Sequence, residues 1–406
     1  MKLKFLPILL LSLLALVSCS DDDDDNRVIC PVETAKHFTG NELELTFSGN
    51  RAIGKDVLFT PDANNVNAAT LTFLGERFDV EKAMQRATEA SGYLTSSVFA
   101  GEPEVNLPIT MVIEGDKGTF EGKSESKYYT FDYRGTVLES QLSIEISNVL
   151  LKNSKLSGTS WVLEPIEKDK WGNAQSTPLI TNWESDSLLN IEFVPGQGTK
   201  YEMTQILTLI TALPVIPVDE KNKISIMEIV SQLIQEVSFE GDGNLAATYL
   251  DMKTKKPVVS PKYLAQYVVL DDTNMKLVLN PFAIAANVNK TPKDPSQMSE
   301  IMKGLAPMIL ESLNANKRIS EGIEMKYNLD GDKLSVVVNE DLFLPVLKTF
   351  APMLENPDLI KTITDKIKEN PDMTFFAPII ESCLKQIPGI INTTTKIEVG
   401  FKFNKK

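Results

Sequence analysis

The chain has 406 residues and a formal net charge of −14 at pH 7, from 41 basic and 55 acidic side chains. An acidic surface repels a phosphate backbone, so we expect no nucleic-acid partner. The length is sufficient for two or three domains, and the single histidine argues against hydrolases with a histidine base and against histidine-rich metal sites.

The N-terminal segment is typical of an export signal. Two lysines within the first four residues precede an apolar run over residues 5–17, which is too short to span a membrane as a helix. The run ends in Leu16-Val17-Ser18-Cys19, which resembles the bacterial lipobox, where cleavage before the cysteine leaves an acylated N-terminus. The resemblance predicts a signal peptide over residues 1–18 and a lipid attached at Cys19. The alternative is an ordinary cleaved signal with an incidental cysteine.

An acidic tract follows the lipobox. Residues 21–25 are five consecutive aspartates, whose mutual repulsion keeps such a tract extended. An acidic run after the lipidated cysteine resembles the export signal of Bacteroidetes lipoproteins, which implies an outer-membrane protein exposed at the cell surface. The alternatives are the periplasmic face of that membrane and a plain solvated linker. We therefore expect residues 19–30 to be a lipidated tether, through which the protein is attached to the membrane.

Residues 31–152 carry the pattern of short strands. Apolar and polar side chains alternate over residues 43–47, and similar runs recur with turn sequences between them. These runs lie at residues 57–60, 69–74, 109–113, 128–133 and 142–146. Residues 80–90 have helix-forming composition and predict a helix or loop over a sheet or barrel end. Many short strands at near-regular spacing predict a β-barrel or β-sandwich.

Four motifs in this region resemble a known family. The chain is similar to the lipocalin-like (calycin-like) β-barrel domains of Bacteroidetes surface lipoproteins of unknown function. The similarity lies in the order of Thr39-Gly40-Asn41-Glu42-Leu43, Val57-Leu58-Phe59-Thr60-Pro61, Ala69-Thr70-Leu71-Thr72-Phe73 and Gly118-Thr119-Phe120-Glu121-Gly122. It covers about the first third of the chain and implies a lipocalin-like barrel for residues 31–152. It implies no particular activity, because this barrel serves many roles.

A second domain over residues 153–406 begins where Ser157-Gly158 precedes another predicted strand. The three tryptophans, Trp161, Trp171 and Trp183, lie in the turn-rich segment that opens this domain. Exposed tryptophans can stack on the apolar faces of sugar rings, which makes the three the candidate ligand-binding residues. The alternative is that they fill a barrel end or a seam between domains, since large aromatic side chains are usually buried.

The rest of this domain alternates amphipathic helices with strands. Apolar residues recur at helical spacing in three segments, each followed by a strand pattern. The helical segments are residues 226–237, 298–309 and 376–387, and the strands are residues 245–250, 323–329 and 396–403. Residues 342–354 and 359–367 are also amphipathic, and Asp330-Gly331 predicts a hairpin turn. We expect an α+β domain, in which helices are inserted into an antiparallel sheet or open barrel.

Few residues in the sequence are candidates for catalysis, for a disulfide or for metal binding. His37 lies before the first long strand and is expected to be a solvated or locally bonded surface residue. A Cys30–Cys383 disulfide is one possibility, but Cys383 lies on an apolar helical face, and we expect a buried free thiol there. Residues 241–244 and 330–332 resemble fragments of calcium loops without the distal glutamate, so hairpin turns are expected.

Three classes of function fit this sequence. The first, which we expect, is a binding module for a lipophilic molecule under the helices or for a glycan at the tryptophans. The second is an interaction or adhesion module, or an accessory subunit of an outer-membrane complex. The third is a hydrolase with two carboxylates, for which no pair stands out. We expect no enzyme, metal or cofactor; the ligand and oligomeric state stay open, as does modification of Asp186-Ser187-Leu188, which resembles a Bacteroidetes O-glycosylation acceptor.

Overall fold

The computed structural model describes residues 28–52, 55–75, 99–152, 154–170, 174–194, 196–214, 216–217, 223–250, 254, 256–260, 262–280, 318–369 and 374–406. The predicted signal peptide, Cys19 and the aspartate tract lie outside the described residues, as do Trp171 and the helices predicted at residues 80–90 and 298–309. The described part of the protein is mostly β-structure, with several open antiparallel or mixed sheets and a set of helices.

Two sheets are built from the first ten strands. These strands are β1 (Lys36–Thr39), β2 (Leu43–Phe47), β3 (Asn50–Arg51), β4 (Asp56–Pro61), β5 (Ala68–Leu74), β6 (Glu104–Thr110), β7 (Val112–Glu114), β8 (Lys117–Glu125), β9 (Tyr129–Val137) and β10 (Leu142–Leu151). A four-stranded sheet has the order β1-β4-β5-β6, and a six-stranded sheet has the order β3-β2-β10-β9-β8-β7. The strands predicted at residues 43–47, 57–60, 69–74, 128–133 and 142–146 are confirmed, each lying inside an observed strand to within one residue, whereas the run predicted at 109–113 is divided at Met111 between β6 and β7 of different sheets.

The two sheets face each other across one hydrophobic core. Alternate residues of each strand point inwards, so Phe59 and Phe73 of the four-stranded sheet pack in the same cluster as Phe131 and Ile144 of the six-stranded sheet. The chain passes from one sheet to the other at the 3-10 turn Gly40–Glu42 and again at Met111. The backbone ladder is interrupted at both corners, and no sheet among the described strands closes into a barrel. The closed barrel expected from the resemblance is therefore not found in this part of the chain.

A buried glutamate fixes one end of this core. Phe99 stacks on Tyr129, with ring centroids 5.6 Å apart, and brings the following residues against the β8–β9 turn. The Glu102 carboxylate, which is buried, accepts hydrogen bonds from the Ser126 hydroxyl at 2.7 Å and from the Tyr128 and Lys127 amides at 3.0 and 3.2 Å. Three donors of a tight turn are thereby satisfied by one side chain.

The third large sheet contains ten strands from the rest of the chain. These are β11 (Thr159–Leu163), β14 (Leu179–Ser185), β19 (Ile234–Phe239), β20 (Leu245–Leu250), β21 (Pro257–Val259), β22 (Ala265–Val269), β23 (Asn274–Leu279), β24 (Ile323–Asp330), β25 (Lys333–Val338) and β26 (Thr394–Lys405). Nine of them follow the order β21-β20-β19-β11-β26-β25-β24-β23-β22, and β14 also pairs with β26. Three two-stranded pairs lie beside the sheet: β12 (Glu167–Lys168) with β13 (Ala174–Ser176), β15 (Leu189–Val194) with β16 (Gln197–Tyr201), and β17 (Ile216–Pro217) with β18 (Lys223–Ile224).

Strand β26 is shared by three partners. β25 pairs along one edge of β26, while β11 and β14 occupy successive stretches of the other edge. Gly400 is opposite Ile180 on one side and Val337 on the other, and a Cβ at this position would overlap the carbonyl oxygen of Val336. Only glycine allows the backbones to approach this closely.

The helices cover one part of this sheet. They are α1 (Met203–Ala212), α2 (Ile226–Leu233), α3 (Arg318–Glu321), α4 (Glu340–Phe350), α5 (Pro357–Lys368) and α6 (Ala377–Asn392), with 3-10 turns at Ala351–Glu355 and Thr374–Phe376. Helices α1, α4 and α6 contribute apolar side chains to a cluster with Trp183, Ile191 and Ile397 of the strands. The apolar stripe predicted at residues 376–387 lies almost entirely on α6, and the stretches at 342–354 and 359–367 are helical as predicted. Helix α1 was not predicted.

The helix predicted over residues 226–237 is shorter than expected. Its start is well defined, because the Ser225 hydroxyl accepts the Glu228 amide at 3.1 Å and the Glu228 carboxylate accepts the Ser225 amide at 2.9 Å. The helix ends at Leu233, and Ile234 and Val237 belong to β19. Pairing of β19 with both β11 and β20 overrides the local helical spacing.

The hairpins that the sequence predicts are confirmed. Asp330 pairs with Lys333, so Gly331 and Asp332 form the turn between β24 and β25. Residues 240–244, which include the predicted turn at 241–244, join β19 to β20. The two parts of the chain also share packing, because Tyr263, Val268 and Val278 of the later segment belong to the core between the first two sheets.

Replacing the buried carboxylate tests its role in the first core. We expect Glu102→Ala to lower the free energy of unfolding by about 1–3 kcal/mol, because it leaves the donors of the β8–β9 turn without their acceptor. Urea unfolding followed by circular dichroism of the strands measures the loss. Glu114→Ala, at an exposed position of β7, is the matched control and should change stability by less than about 0.5 kcal/mol. Equal stability of the two variants would contradict the anchoring role.

Two glycine substitutions test the constraint on β26. Gly400→Ala should destabilise the protein by about 1–3 kcal/mol, because the added methyl has no space between β25 and β14. Gly389→Ala makes the same chemical change in helix α6, where no atom lies within 4 Å of the new Cβ. The control should be stabilising by roughly 0.5–1 kcal/mol, since alanine is the better helix former. Thermal unfolding should show a lower melting temperature for Gly400→Ala and a higher one for Gly389→Ala. An unchanged melting temperature for Gly400→Ala would contradict the close approach of β25 to β26 at this residue.

Candidate functional site

The two described tryptophans do not form an exposed ledge. Trp161 is 1% exposed and packs with Phe239 and Tyr267, and its indole N–H donates to the Thr159 hydroxyl at 2.7 Å. Trp183 is 8% exposed, lies in the helix-covered cluster, and donates to the Thr394 hydroxyl at 2.8 Å. They are opposite Lys405 and Ile397, eight residues or roughly 26 Å apart along β26. The glycan site predicted at the tryptophans is therefore not assembled by these two residues.

The remaining residues singled out from the sequence occupy ordinary positions. His37 is an exposed residue whose Nδ1 lies 2.9 Å from an Asp56 carboxylate oxygen, a local surface pair as expected. Cys30 and Cys383 are both free thiols, and they lie in different apolar clusters. Cys383 is half-buried, not fully buried as predicted, and its burial raises the pKa of the thiol, which disfavours the thiolate. Cys30 is buried together with Val32, so the folded part begins within the segment predicted to be tether.

The grooves lined by described residues do not lie beneath the helices where a lipophilic molecule was predicted. Four grooves of about 320–820 Å³ are lined by described residues, and each is open to solvent with polar side chains in its lining. None of these four lies beneath α2 or α6. The apolar face of α6 packs instead on the strands of the large sheet and on neighbouring helices.

The solvent-facing side of the six-stranded sheet offers a polar groove. Because successive side chains of a strand point to opposite faces, β8, β9 and β10 present outward residues in cross-strand rows. One row is Glu121, Arg134 and Glu145, and the next is Thr119, Thr136 and Ser143. These six residues line a groove of about 520 Å³, here called the Arg134 groove.

An arginine lies between two carboxylates in this groove. Arg134 is paired in register with Glu121 on one side and Glu145 on the other. It donates from Nε and Nη2 to one Glu145 oxygen, at 2.8 and 2.5 Å. The adjoining hydroxyl row supplies groups that both donate and accept. The arrangement can hydrogen-bond a ligand that carries many hydroxyl groups, and it places a cation between the only two carboxylates that line the groove.

A second groove continues along the same strands. It has a volume of about 820 Å³ and is lined by residues that include Lys123, Thr130, Asp132 and Asn148, and we call it the Asp132 groove. Asp132 accepts a hydrogen bond from the Asn148 amide at 2.7 Å, and Lys123 Nζ lies 3.7 Å from its other oxygen. The register of β10 against β9 shifts between Ser147 and Leu150, which places Asn148 at an irregularity beside this groove.

Other polar clusters are accounted for by turn structure. The Asp271 carboxylate accepts from the Asn274 side chain and from the Thr273 and Asn274 amides, which lowers its pKa to about 2. No group of three or more His, Cys, Asp or Glu side chains in the described residues is arranged to hold a metal ion. Among the described helices, none combines the length and apolar character needed to cross a membrane.

Sequence reasoning missed the two grooves for a definite reason. Alternation predicted strands at residues 128–133 and 142–146, but residues 117–125 were not predicted as a strand, so the sequence did not show which residues of β8 lie opposite which residues of β9. Glu121 and Arg134 are thirteen positions apart, and Arg134 and Glu145 eleven. The spacing of Arg134 and Glu145 was a possible signal in the sequence. A hairpin between the two predicted strands would place these opposite charges side by side, as the structure does.

Comparison with known proteins gives no relationship from which a function can be transferred. No protein-family model matches the chain, and no curated protein or solved structure shows significant similarity to it.

Proposed function

We propose that this chain is an outer-membrane-anchored lipoprotein, held through a lipid at Cys19 and exposed at the cell surface, that binds a glycan on the outer face of its six-stranded sheet. The anchor is supported by the lipobox and the acidic tract of the sequence. The binding function is supported by one arrangement, the Glu121-Arg134-Glu145 row bordered by three hydroxyls in the Arg134 groove. The periplasmic face stays the alternative location.

The fold supports a ligand on the outside of the first domain. The interior between the two sheets is filled by aromatic side chains, including Phe47, Phe99, Phe131 and Tyr129. A filled core leaves no room for the enclosed ligand of a lipocalin, whereas an open sheet face with polar rows is accessible from solvent. We propose a lipocalin-like domain over residues 31–152 that has become an open sandwich, followed by the α+β domain over residues 153–406.

A glycan suits the Arg134 groove better than a lipophilic molecule does. Hydroxyls, an arginine and carboxylates line this groove, and a lipid would leave these polar groups without hydrogen-bond partners. In this proposal the chain binds the glycan and does not catalyse a reaction. Arg134 binds Glu145 directly and lies between the two carboxylates, so the pair does not face a shared open space as a glycosidase pair does.

A protein–protein interaction is the second candidate function. Leu209 and Ile210 of α1 and the following Leu213 are 52%, 46% and 40% exposed, an apolar patch at the end of a helix. Contiguous exposed apolar side chains are typical of interaction surfaces. This candidate takes precedence if the glycan experiments below give no binding.

Substitution of the central arginine tests the binding function. Arg134→Ala should weaken polysaccharide binding at least tenfold, about 1.4 kcal/mol, because it removes the donor and leaves two carboxylates facing each other. The side chain is 69% exposed, so the loss of its ion pair should change stability by less than about 1 kcal/mol. Retardation in native gels that contain defined polysaccharides measures binding. Arg51→Ala, on exposed residue 51 of β3, should bind as the wild type does. Unchanged retardation of Arg134→Ala would contradict the site.

A separate substitution tests the anchor. Cys19→Ala should move the protein from the membrane fraction to the soluble fraction and abolish palmitate incorporation, because several acyl chains on that residue supply stable anchoring. Cys383→Ala removes a cysteine from helix α6 and should leave the protein membrane-bound. Membrane association of Cys19→Ala equal to that of the control would show that Cys19 is not the anchor.

A further inference from the structure

The Arg134 groove and the Asp132 groove form one track. Both lie on the outward side of β8, β9 and β10 and follow one another along the strands. From Thr119 to Glu125 on β8 the track extends over six residue steps, or roughly 20 Å. A single sugar ring would occupy only one of the two grooves, whereas an extended chain can contact both.

The charge of the track is acidic. Its linings contain the carboxylates Glu121, Glu145, Asp132 and Glu125, against two cations. Both cations are close to carboxylates, Arg134 with Glu145 at 2.8 Å and Lys123 with Asp132 at 3.7 Å. The whole chain, including the track, has a formal net charge of −14. A third cation outside the linings, Lys152, lies 3.3 Å from Glu125. The two linings carry a net charge of −2, or −1 with Lys152 included, so a polyanionic ligand meets net repulsion and a neutral one meets none.

Each groove also presents one exposed aliphatic side chain. Val112, 64% exposed, lines the Arg134 groove, and Leu150, 58% exposed, lines the Asp132 groove. They lie among hydroxyl and amide groups, including Thr136, Thr130 and Asn148. Sugar rings have the matching character, with apolar C–H faces and hydroxyl edges, and a site that binds such a ligand combines apolar contacts with a few placed polar groups.

We infer that the ligand is an uncharged glycan chain of several sugar units that lies along β8, β9 and β10 and contacts Val112 at one groove and Leu150 at the other. This inference rests on the proposed function, because it assigns length and charge to the ligand of the same face. Affinity then grows with chain length until both grooves are filled. Acidic polysaccharides are excluded by repulsion, not by shape.

The test uses the full chain purified in detergent. Native gels with neutral glucan, mannan, xylan or galactan are compared with gels that contain polygalacturonate. Oligosaccharides of two to eight units, from whichever neutral polymer binds, are then titrated by calorimetry. We expect retardation by a neutral polymer and none by polygalacturonate, with affinity for six units at least tenfold above that for two, about 1.4 kcal/mol.

Two variants assign the length dependence to the two grooves. Leu150→Asp should reduce affinity for the six-unit chain at least fivefold, about 1 kcal/mol, and leave affinity for the two-unit chain unchanged within about twofold. Leu188→Asp is the matched control, since Leu188 is 44% exposed in the turn between β14 and β15, and should bind all chains as the wild type does. Thermal unfolding of both variants verifies that they are folded.

The outcomes separate this inference from the proposed function. If no polysaccharide retards the wild type, the proposed glycan-binding function itself is wrong. If a polysaccharide binds and Arg134→Ala abolishes binding, the proposed site on the six-stranded sheet is supported. If, with that same result, two and six units bind with equal affinity, or polygalacturonate binds as well as the neutral polymer, the neutral, extended ligand is overturned.

Discussion

The large sheet depends on a single long strand that is paired along both of its edges. Strand β26 bonds β25 along one edge and divides the other between β11 and β14, so three segments distant in sequence meet on it. Gly400 permits this, because any side chain there would overlap the backbone of β25. The ladder leaves no freedom in register, since a shift of one residue would turn every side chain of β26 to the opposite face.

The same strand connects two hydrophobic clusters. Ile397 and Val399 pack under the helices with Trp183, while Phe401 and Phe403 pack with Trp161 and Phe239 further along. These four residues of β26 alternate with outward neighbours and therefore share one face. Trp161 belongs to one of these clusters and Trp183 to the other, which explains why both are buried and why they lie far apart. Their chemistry is used for packing, and each indole N–H is satisfied by a threonine hydroxyl.

Aromatic side chains pack together in the core between the first two sheets. Aromatic rings meet between the first two sheets, and Phe47 contacts Tyr263 of the later segment edge to face at 5.9 Å. The packing joins the two parts of the chain and leaves the outer face of β8, β9 and β10 free to carry polar rows. The proposed site would suit the proposed cell-surface tether, because an extended polymer could be bound on this face without entering the fold.

The sequence by itself determined the local features of this protein. Period-two alternation identified β2, β4, β5, β9 and β10, helical spacing identified α4, α5 and α6, and Asp330-Gly331 identified a hairpin, because these depend on neighbouring residues alone. The lipobox and the aspartate tract are also local signals, and they stay predictions about location.

Tertiary structure decided the features that depend on pairing between distant parts of the chain. It ended α2 at Leu233 in favour of β19, kept the first two sheets open, buried Trp161 and Trp183, and placed Arg134 between Glu121 and Glu145. Strand register joins residues that are far apart in the chain, and no local pattern in a single sequence records it.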